Sequence, residues 1–140
     1  MLDVATARAR ILENLPSCGQ ETVALTAACG RILAQDVHAR RANPPVCVSA
    51  MDGYAVQAAD ASAGATLTVI DEAPAGRPSS RTVVSGTCIR IYTGSQVPDG
   101  ADAIVIQENT ERTDQTVTLT QAAHQGQFIR KQGQDFAQGA

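Results

Sequence analysis

Ala42-Asn43-Pro44-Pro45 divides this sequence into two parts of different character. A residue ahead of proline avoids the helical region, and proline lacks the amide donor, so Asn43-Pro44-Pro45 ends any helix that reaches it. Upstream, apolar residues recur at helical spacing. Val4, Ala7, Ile11, Leu12 and Leu15 form one stripe, Asp3 stands at an N-cap position, and Pro16 stops the segment. Residues 16–21 read as a polar connection and Glu21 to Leu25 as a short strand. Thr26 then looks like the cap of a second helix running through Ile32 and Leu33 to about Val37. Gly30 inside that helix costs roughly 1 kcal/mol against alanine, which suggests close packing there. A single apolar stripe on a short helix is not stable alone, so this arm must pack on something.

Downstream the pattern is that of strands separated by frequent turns. Thr66 to Ile70 alternates, with Leu67 and Val69 on one face and Thr66, Thr68 and Ile70 on the other. Thr82 to Val84, Thr87 to Thr93, Ala103 to Gln107, Thr116 to Thr120 and Gln127 to Arg130 read as further strands, and Asn109 to Gln115 as a polar hairpin loop. The expected fold is mainly β with a helical arm: a small barrel or sandwich-like domain plus N-terminal helices, α+β overall. The boundaries expected are residues 1–38 for the helical arm, 39–137 for the β-domain, and 138–140 for the start of a return toward the arm.

Composition limits the function. The chain has 140 residues, and its 44% hydrophobic content includes 24 alanines; Val, Ile, Leu and Phe together number 29. The core should therefore be thin and aliphatic. A net charge of −3 and only four aromatic residues (Tyr54, Tyr92, Phe128, Phe136) argue against a nucleic-acid surface. No apolar run approaches the ~18 residues of a membrane span, and the N-terminus does not read as a signal peptide, so the cytoplasm is expected. Cys18, Cys29, Cys47 and Cys88 make no C-x-x-C, and His38 and His124 lack ligand spacing beside them, which disfavours structural zinc. Cys29 and Cys88 read as small buried hydrophobes.

Three polar loops interrupt the alternation. In Ser49-Ala50-Met51-Asp52-Gly53-Tyr54-Ala55-Val56, Gly53 permits a tight backbone conformation, and Asp52 either accepts bonds from a turn or projects toward a ligand or hydrated metal. Arg90-Ile91-Tyr92-Thr93-Gly94-Ser95 ends in two hydroxyls and backbone amides with little steric cover, which suits an anion-binding nest as well as it suits a plain turn. In Gly133-Gln134-Asp135-Phe136 the aspartate either caps a following helix or faces a cleft. No nucleophile–base pair is visible in any of them.

Those same loops carry a family resemblance. Ser49 to Val56, Ile89 to Gly94 with Pro98-x-Gly100-Ala101-Asp102-Ala103, and Arg130-x-x-Gly133-x-Asp135-x-x-x-Gly139 resemble three signatures of the molybdopterin molybdenumtransferases, the MoeA-type family that includes gephyrin's E domain. Gly30-Arg31-Ile32-Leu33-Ala34-Gln35-Asp36-Val37 is similar to a fourth. The resemblance implies the N-terminal and linker region of an enzyme that inserts molybdate into adenylated molybdopterin, with Mg2+ assisting, and that works as a homodimer. It implies functional roles for Asp52, Thr93 and Asp135, anion or substrate contacts at Ser49, Gly53, Gly94 and Ser95, and Mg2+ on Asp52. Its other expectations are small-molecule substrates, no nucleic acid, no membrane, and inactivity of this region alone. The alternative is a non-catalytic dimerisation or scaffold module. Two residues depart from the pattern: Cys47 replaces a usual carboxylate, and Ser95 stands where alanine is common.

Overall fold

The computed structural model describes every residue except 1, 14 and 17. It divides into two units, one ending at Val37 and one beginning at His38.

The first unit holds one helix, α1 (Val4–Glu13). Asp3 caps it as expected: the Thr6 amide donates to Oδ1 at 2.9 Å and the Thr6 hydroxyl to Oδ2 at 2.6 Å. None of its residues is buried. The second predicted helix is reduced to one 3-10 turn at Leu25–Ala27, and the predicted strand from Glu21 to Leu25 does not form. Gly30 adopts a φ of +78°, which ends any helical path, and Ile32, Leu33 and Val37 lie exposed. Helical periodicity there has no apolar partner to reward it. Arg31 pairs with Glu21 across the turn.

The second unit is β. Its strands are β1 (Val48–Ser49), β2 (Gly53–Val56), β3 (Thr66–Ala73), β4 (Thr87–Ile91), β5 (Ala103–Ile106), β6 (Thr110–Thr113), β7 (Thr116–Leu119) and β8 (Ile129–Arg130). Six of them make one sheet in the order β5-β2-β4-β3-β7-β6, and β1 pairs with β8 separately. The two outer strands of the large sheet, β5 and β6, are consecutive in sequence and joined by Gln107–Asn109. A flat six-stranded sheet would hold its edges about 24 Å apart, five spacings of ~4.8 Å. Four residue steps from Ile106 to Thr110 reach only about 14 Å. The sheet must curl into a half-barrel, which is narrower than the barrel-or-sandwich expectation.

Pairing is antiparallel except between β3 and β4, which run parallel. A parallel neighbour requires a long crossover, here residues 74–86, and the predicted strand at Thr82 to Val84 falls inside it as irregular chain. Val83 is nevertheless buried, and its amide donates to Asp99 O at 2.8 Å. Register shifts between Val69 and Asp71, so β3 departs from strict alternation there. The predicted loop 109–115 is mostly strand β6, with the turn confined to Asp114-Gln115.

One face of the curled sheet buries Tyr54, Val56, Leu67, Cys88, Val105, Val117 and Leu119 together. The opposite face buries Ala55, Ile91 and Ile104 in one cluster and Ala73, Val83 and Ile89 in another. β2 is covered on both sides, which is why Gly53–Val56 reads as a continuous rather than alternating run. Cys88 is buried as expected, but Cys29 is exposed, because the helix meant to bury it does not form. Residues 138–140 lie on Ala39: Gly139 donates to Ala39 O at 2.8 Å and Ala39 to Ala140 O at 2.7 Å.

Candidate functional site

Asp52 and Thr93 come together. The Thr93 amide and the Thr93 hydroxyl each donate to Asp52 Oδ1 at 2.8 Å. Asp52 closes the loop between β1 and β2, and Thr93 follows the end of β4; the antiparallel register Gly53↔Ile91 brings the two loops side by side. Oδ2 of Asp52 has no hydrogen bond among the described residues. The two bonds from Thr93, with a smaller contribution from the Arg90 charge, hold the carboxyl below its ordinary value of 3.8. Asp52 is thus an ionised carboxylate with one oxygen clamped and the other free.

Of the two alternatives for the loop after Thr93, an anion nest or a plain turn, the structure shows the turn. Gly94 donates to Ser49 O at 2.9 Å, Ser95 to Tyr92 O at 2.9 Å, and Ser49 returns a bond to Ser95 O at 2.9 Å. These contacts brace the loop against β1 and use up its amides. Gly94, at φ +82°, makes the turn that aims them inward. Neither serine reaches solvent. Ser49 is buried, with its hydroxyl donating to Met51 O at 2.6 Å, and Ser95 is buried with its hydroxyl unpartnered among the described residues. Gly53 is required for a reason other than conformational freedom: a Cβ there would sit 2.0 Å from the Val105 carbonyl oxygen of β5. Of the seven residues singled out in the sequence, Ser49, Gly53, Gly94 and Ser95 build the corner that positions Asp52.

Asp135 is engaged elsewhere. Arg130 donates to its Oδ1 at 2.6 Å, Asn43 to its Oδ2 at 2.8 Å, and its amide donates to Asn43 O at 2.9 Å. It ties the last loop to the start of the β unit next to the Asn43↔Phe136 bridge. Neither a helix cap nor any shared hydrogen bond with Asp52 or Thr93 is present among the described residues.

Sequence reasoning passed over Arg90. Its guanidinium lies 5.1 Å from the ring centre of Tyr54 and 5.0 Å from that of Tyr92, a cation between two of the four aromatic rings. It donates to Gln107 Oε1 at 2.6 Å and more distantly to Gly53 O at 3.4 Å. The available signal was the period-two spacing of Arg90 in β4 and Tyr92 just past its end, which puts both on one side of the extended chain. That Tyr54 lies opposite Arg90 emerges only from strand pairing. The Tyr92 hydroxyl donates to Glu72 at 2.6 Å. Gln107 is tied to the same corner, its amide donating to Asp52 O at 3.0 Å.

A half-barrel with a clamped, partly exposed aspartate at one corner is a module that presents a fixed charge, with no nucleophile–base pair among the described residues. Comparison with known proteins gives its class. Residues 2–140 match the family described as the MoeA N-terminal region, domains I and II, and the chain belongs to that family. It is 38% identical over 141 residues to a molybdopterin molybdenumtransferase of Haemophilus influenzae, covering 99% of this chain and 35% of that protein. It is 43% identical over 135 residues to molybdopterin molybdenumtransferase 2 of Mycobacterium tuberculosis, covering 92% of this chain and 33% of that one. A crystal structure of a molybdopterin biosynthesis MoeA protein from Pyrococcus horikoshii superposes with a TM-score of 0.81 at 36% identity, over 86% of this chain and 33% of the other. The chain spans about a third of the length of these relatives. No helix among the described residues is long and apolar enough to cross a membrane.

Proposed function

We propose that this chain forms the N-terminal region of a cytoplasmic enzyme that inserts molybdate into adenylated molybdopterin, and that the Asp52–Thr93 corner supplies one wall of its active-site cleft. The observation that carries this reading is the state of Asp52. Thr93 fixes its orientation, its charge is stabilised at neutral pH, and one oxygen stays available. Family membership over residues 2–140 supports the reaction class. The remaining walls of the cleft, and the homodimer, belong to the longer enzyme of which the chain matches about a third.

Asp52 fits Mg2+ as a single ligand and no more. Among the described residues no three His, Cys, Asp or Glu side chains gather to hold a metal. Mg2+ is commonly held by one or two carboxylates with water and substrate phosphate oxygens filling its octahedral shell, so one free carboxylate oxygen is a sufficient protein contribution. When bound, the ion supplies the positive charge that lets anionic molybdate and an adenylate approach each other. The chain's own residues orient and hold that ligand: Thr93 clamps Oδ1, and the bonds of Ser49 to Gly94 and Ser95 keep Thr93 in place. Asp135, held by Arg130 and Asn43, fixes the neighbouring loop.

The test is molybdenum insertion by the full-length enzyme carrying Asp52→Asn, across a magnesium titration. The expected result is a rate at least ten-fold lower at limiting magnesium, partly recovered at high magnesium. A rate equal to wild type throughout would leave this region a scaffold or dimerisation module.

A further inference from the structure

We infer that the groove beside Asp52 is a binding site for a phosphoryl-class oxyanion, gripped by Arg90 of β4 and Arg112 of β6. The groove has a volume of about 420 Å3 and is lined by Tyr54, Arg90, Tyr92, Gln107, Thr110 and Arg112, with Glu108 at its side. It exists because the sheet curls: β4 and β6 are not hydrogen-bonded neighbours, yet both contribute an arginine to one concavity.

Neither guanidinium makes an ion pair among the described residues, although the Arg90 charge is felt at Asp52. The ion pairs among the described residues are Arg31 with Glu21 and Arg130 with Asp135. Arg90 is held between the two tyrosine rings and by Gln107, so its fork is already ordered before a ligand arrives. Arg112 donates through Nε to Asp114 O at 3.2 Å, and its terminal nitrogens have no hydrogen bond among the described residues. Planar guanidinium forks match the paired oxygens of a phosphoryl group better than an ammonium does.

The carboxylates nearby hydrogen-bond to neutral groups and not to either guanidinium. Glu72 accepts the Tyr92 hydroxyl, Asp71 accepts the Ser79 hydroxyl, and Glu108 takes a long contact from the Gln107 side-chain amide at 3.4 Å. An acidic protein of net charge −3 therefore keeps two unpaired guanidiniums in one concave place. The amides of the Thr93-Gly94-Ser95 loop are all used internally, so an anion reaching the Asp52 corner finds its donors in this groove instead. The two sites adjoin, since Arg90 reaches the carbonyl of Gly53 and Tyr92 precedes Thr93.

The site stands independently of the Mg2+ reading, so it is tested without that ion. The 140-residue chain, uniformly 15N-labelled and in EDTA, is titrated with inorganic phosphate, pyrophosphate and AMP while amide shifts are followed. Expected are saturable shifts centred on Arg90, Tyr92, Gln107 and Arg112, with pyrophosphate and AMP competing for one site. Arg112→Ala lies on an exposed edge strand, leaves the rest of the spectrum in place, and weakens binding at least five-fold. Arg90→Lys, which keeps the charge and loses the fork, weakens it as well. Non-saturating shifts, saturation centred away from the groove, or unchanged affinity in Arg112→Ala would each overturn the assignment. An inactive Asp52→Asn enzyme has no bearing on these readouts, and a failed titration has none on the magnesium dependence.

Discussion

The amide and the hydroxyl of Thr93 converge on the same oxygen of Asp52, each at 2.8 Å, while the other oxygen of that carboxylate has no partner among the described residues. This one-sided clamp makes the acidity of Asp52 depend on Thr93. Removing the hydroxyl in Thr93→Ala keeps the backbone bond and loses the side-chain bond, so the Asp52 pKa moves up toward 3.8, whereas Thr93→Ser leaves it in place. A carboxyl whose folded pKa is depressed stabilises the fold above its unfolded pKa and loses that contribution as pH falls through the folded value. The stability difference between wild type and Thr93→Ala therefore has a component that is full above about pH 5 and fades at lower pH. A 13C-detected titration of the Asp52 carboxyl, with denaturation curves at pH 7 and pH 3, measures both; an Asp52 pKa that does not rise in Thr93→Ala contradicts the clamp.

Gly53 carries a second expectation. β2 lies so close to β5 that a methyl group at position 53 would overlap the Val105 carbonyl oxygen at 2.0 Å, and the obstacle is the hydrogen-bonded backbone of the neighbouring outer strand. Relief requires moving a strand that is buried on both faces. Gly53→Ala should cost about 3 kcal/mol or more by analogy with overpacked cores, read as a lowered denaturation midpoint. A loss under about 1 kcal/mol would mean that the strands separate without strain.

Local chemistry announced much of this molecule, and long-range pairing supplied the rest. The helix cap at Asp3, the break at Asn43-Pro44-Pro45 and strands such as Thr116–Leu119 follow from periodicity and turn residues within a few positions. The second helix failed because an apolar stripe at Ile32, Leu33 and Val37 shows only that burial would be favourable, and these residues are left exposed. Val83 misled in the opposite sense, an apolar run that is buried without being a strand. At the site, Asp52 and Thr93 were legible as polar residues beside glycines. Whether the amides after Thr93 stay open or brace β1 depends on Ser49, over 40 positions away, which no local pattern reports. Arg90 was hidden for the same reason, since its two tyrosine partners meet it only through the β2–β4 register.

Ser95 and Ser49 make a contrasting pair inside the same corner. Both are buried, but the Ser49 hydroxyl is bonded to Met51 and that of Ser95 has no partner among the described residues. A buried hydroxyl without a hydrogen bond carries its desolvation cost uncompensated, on the order of 1–3 kcal/mol. Ser95→Ala should accordingly stabilise the chain, by about 1 kcal/mol once the small void is allowed for. Ser49→Ala should destabilise it by about 1 kcal/mol and loosen the Met51–Asp52 turn. Thermal denaturation of the two variants should move in opposite directions; movement in the same direction would remove the distinction between them.

Of the four cysteines, Cys18, Cys29 and Cys47 are exposed and Cys88 alone lies in the core. Burial among Tyr54, Leu67 and Val117 pushes the Cys88 thiol up from 9.0 to about 12, against a weaker opposing effect from Arg112. The reactive species toward a disulfide reagent is the thiolate, so Cys88 is doubly protected, by its charge state and by access. Native protein at pH 8 should titrate three thiols, Cys18, Cys29 and Cys47, with the fourth appearing only after unfolding. The sign for stability follows from the raised folded value. The neutral thiol favours the fold fully below pH 9, and this contribution declines as pH rises from 9 toward 12. Cys88→Ala should lack that alkaline component while losing packing at every pH, and four fast-reacting thiols in the native chain would place Cys88 outside the core.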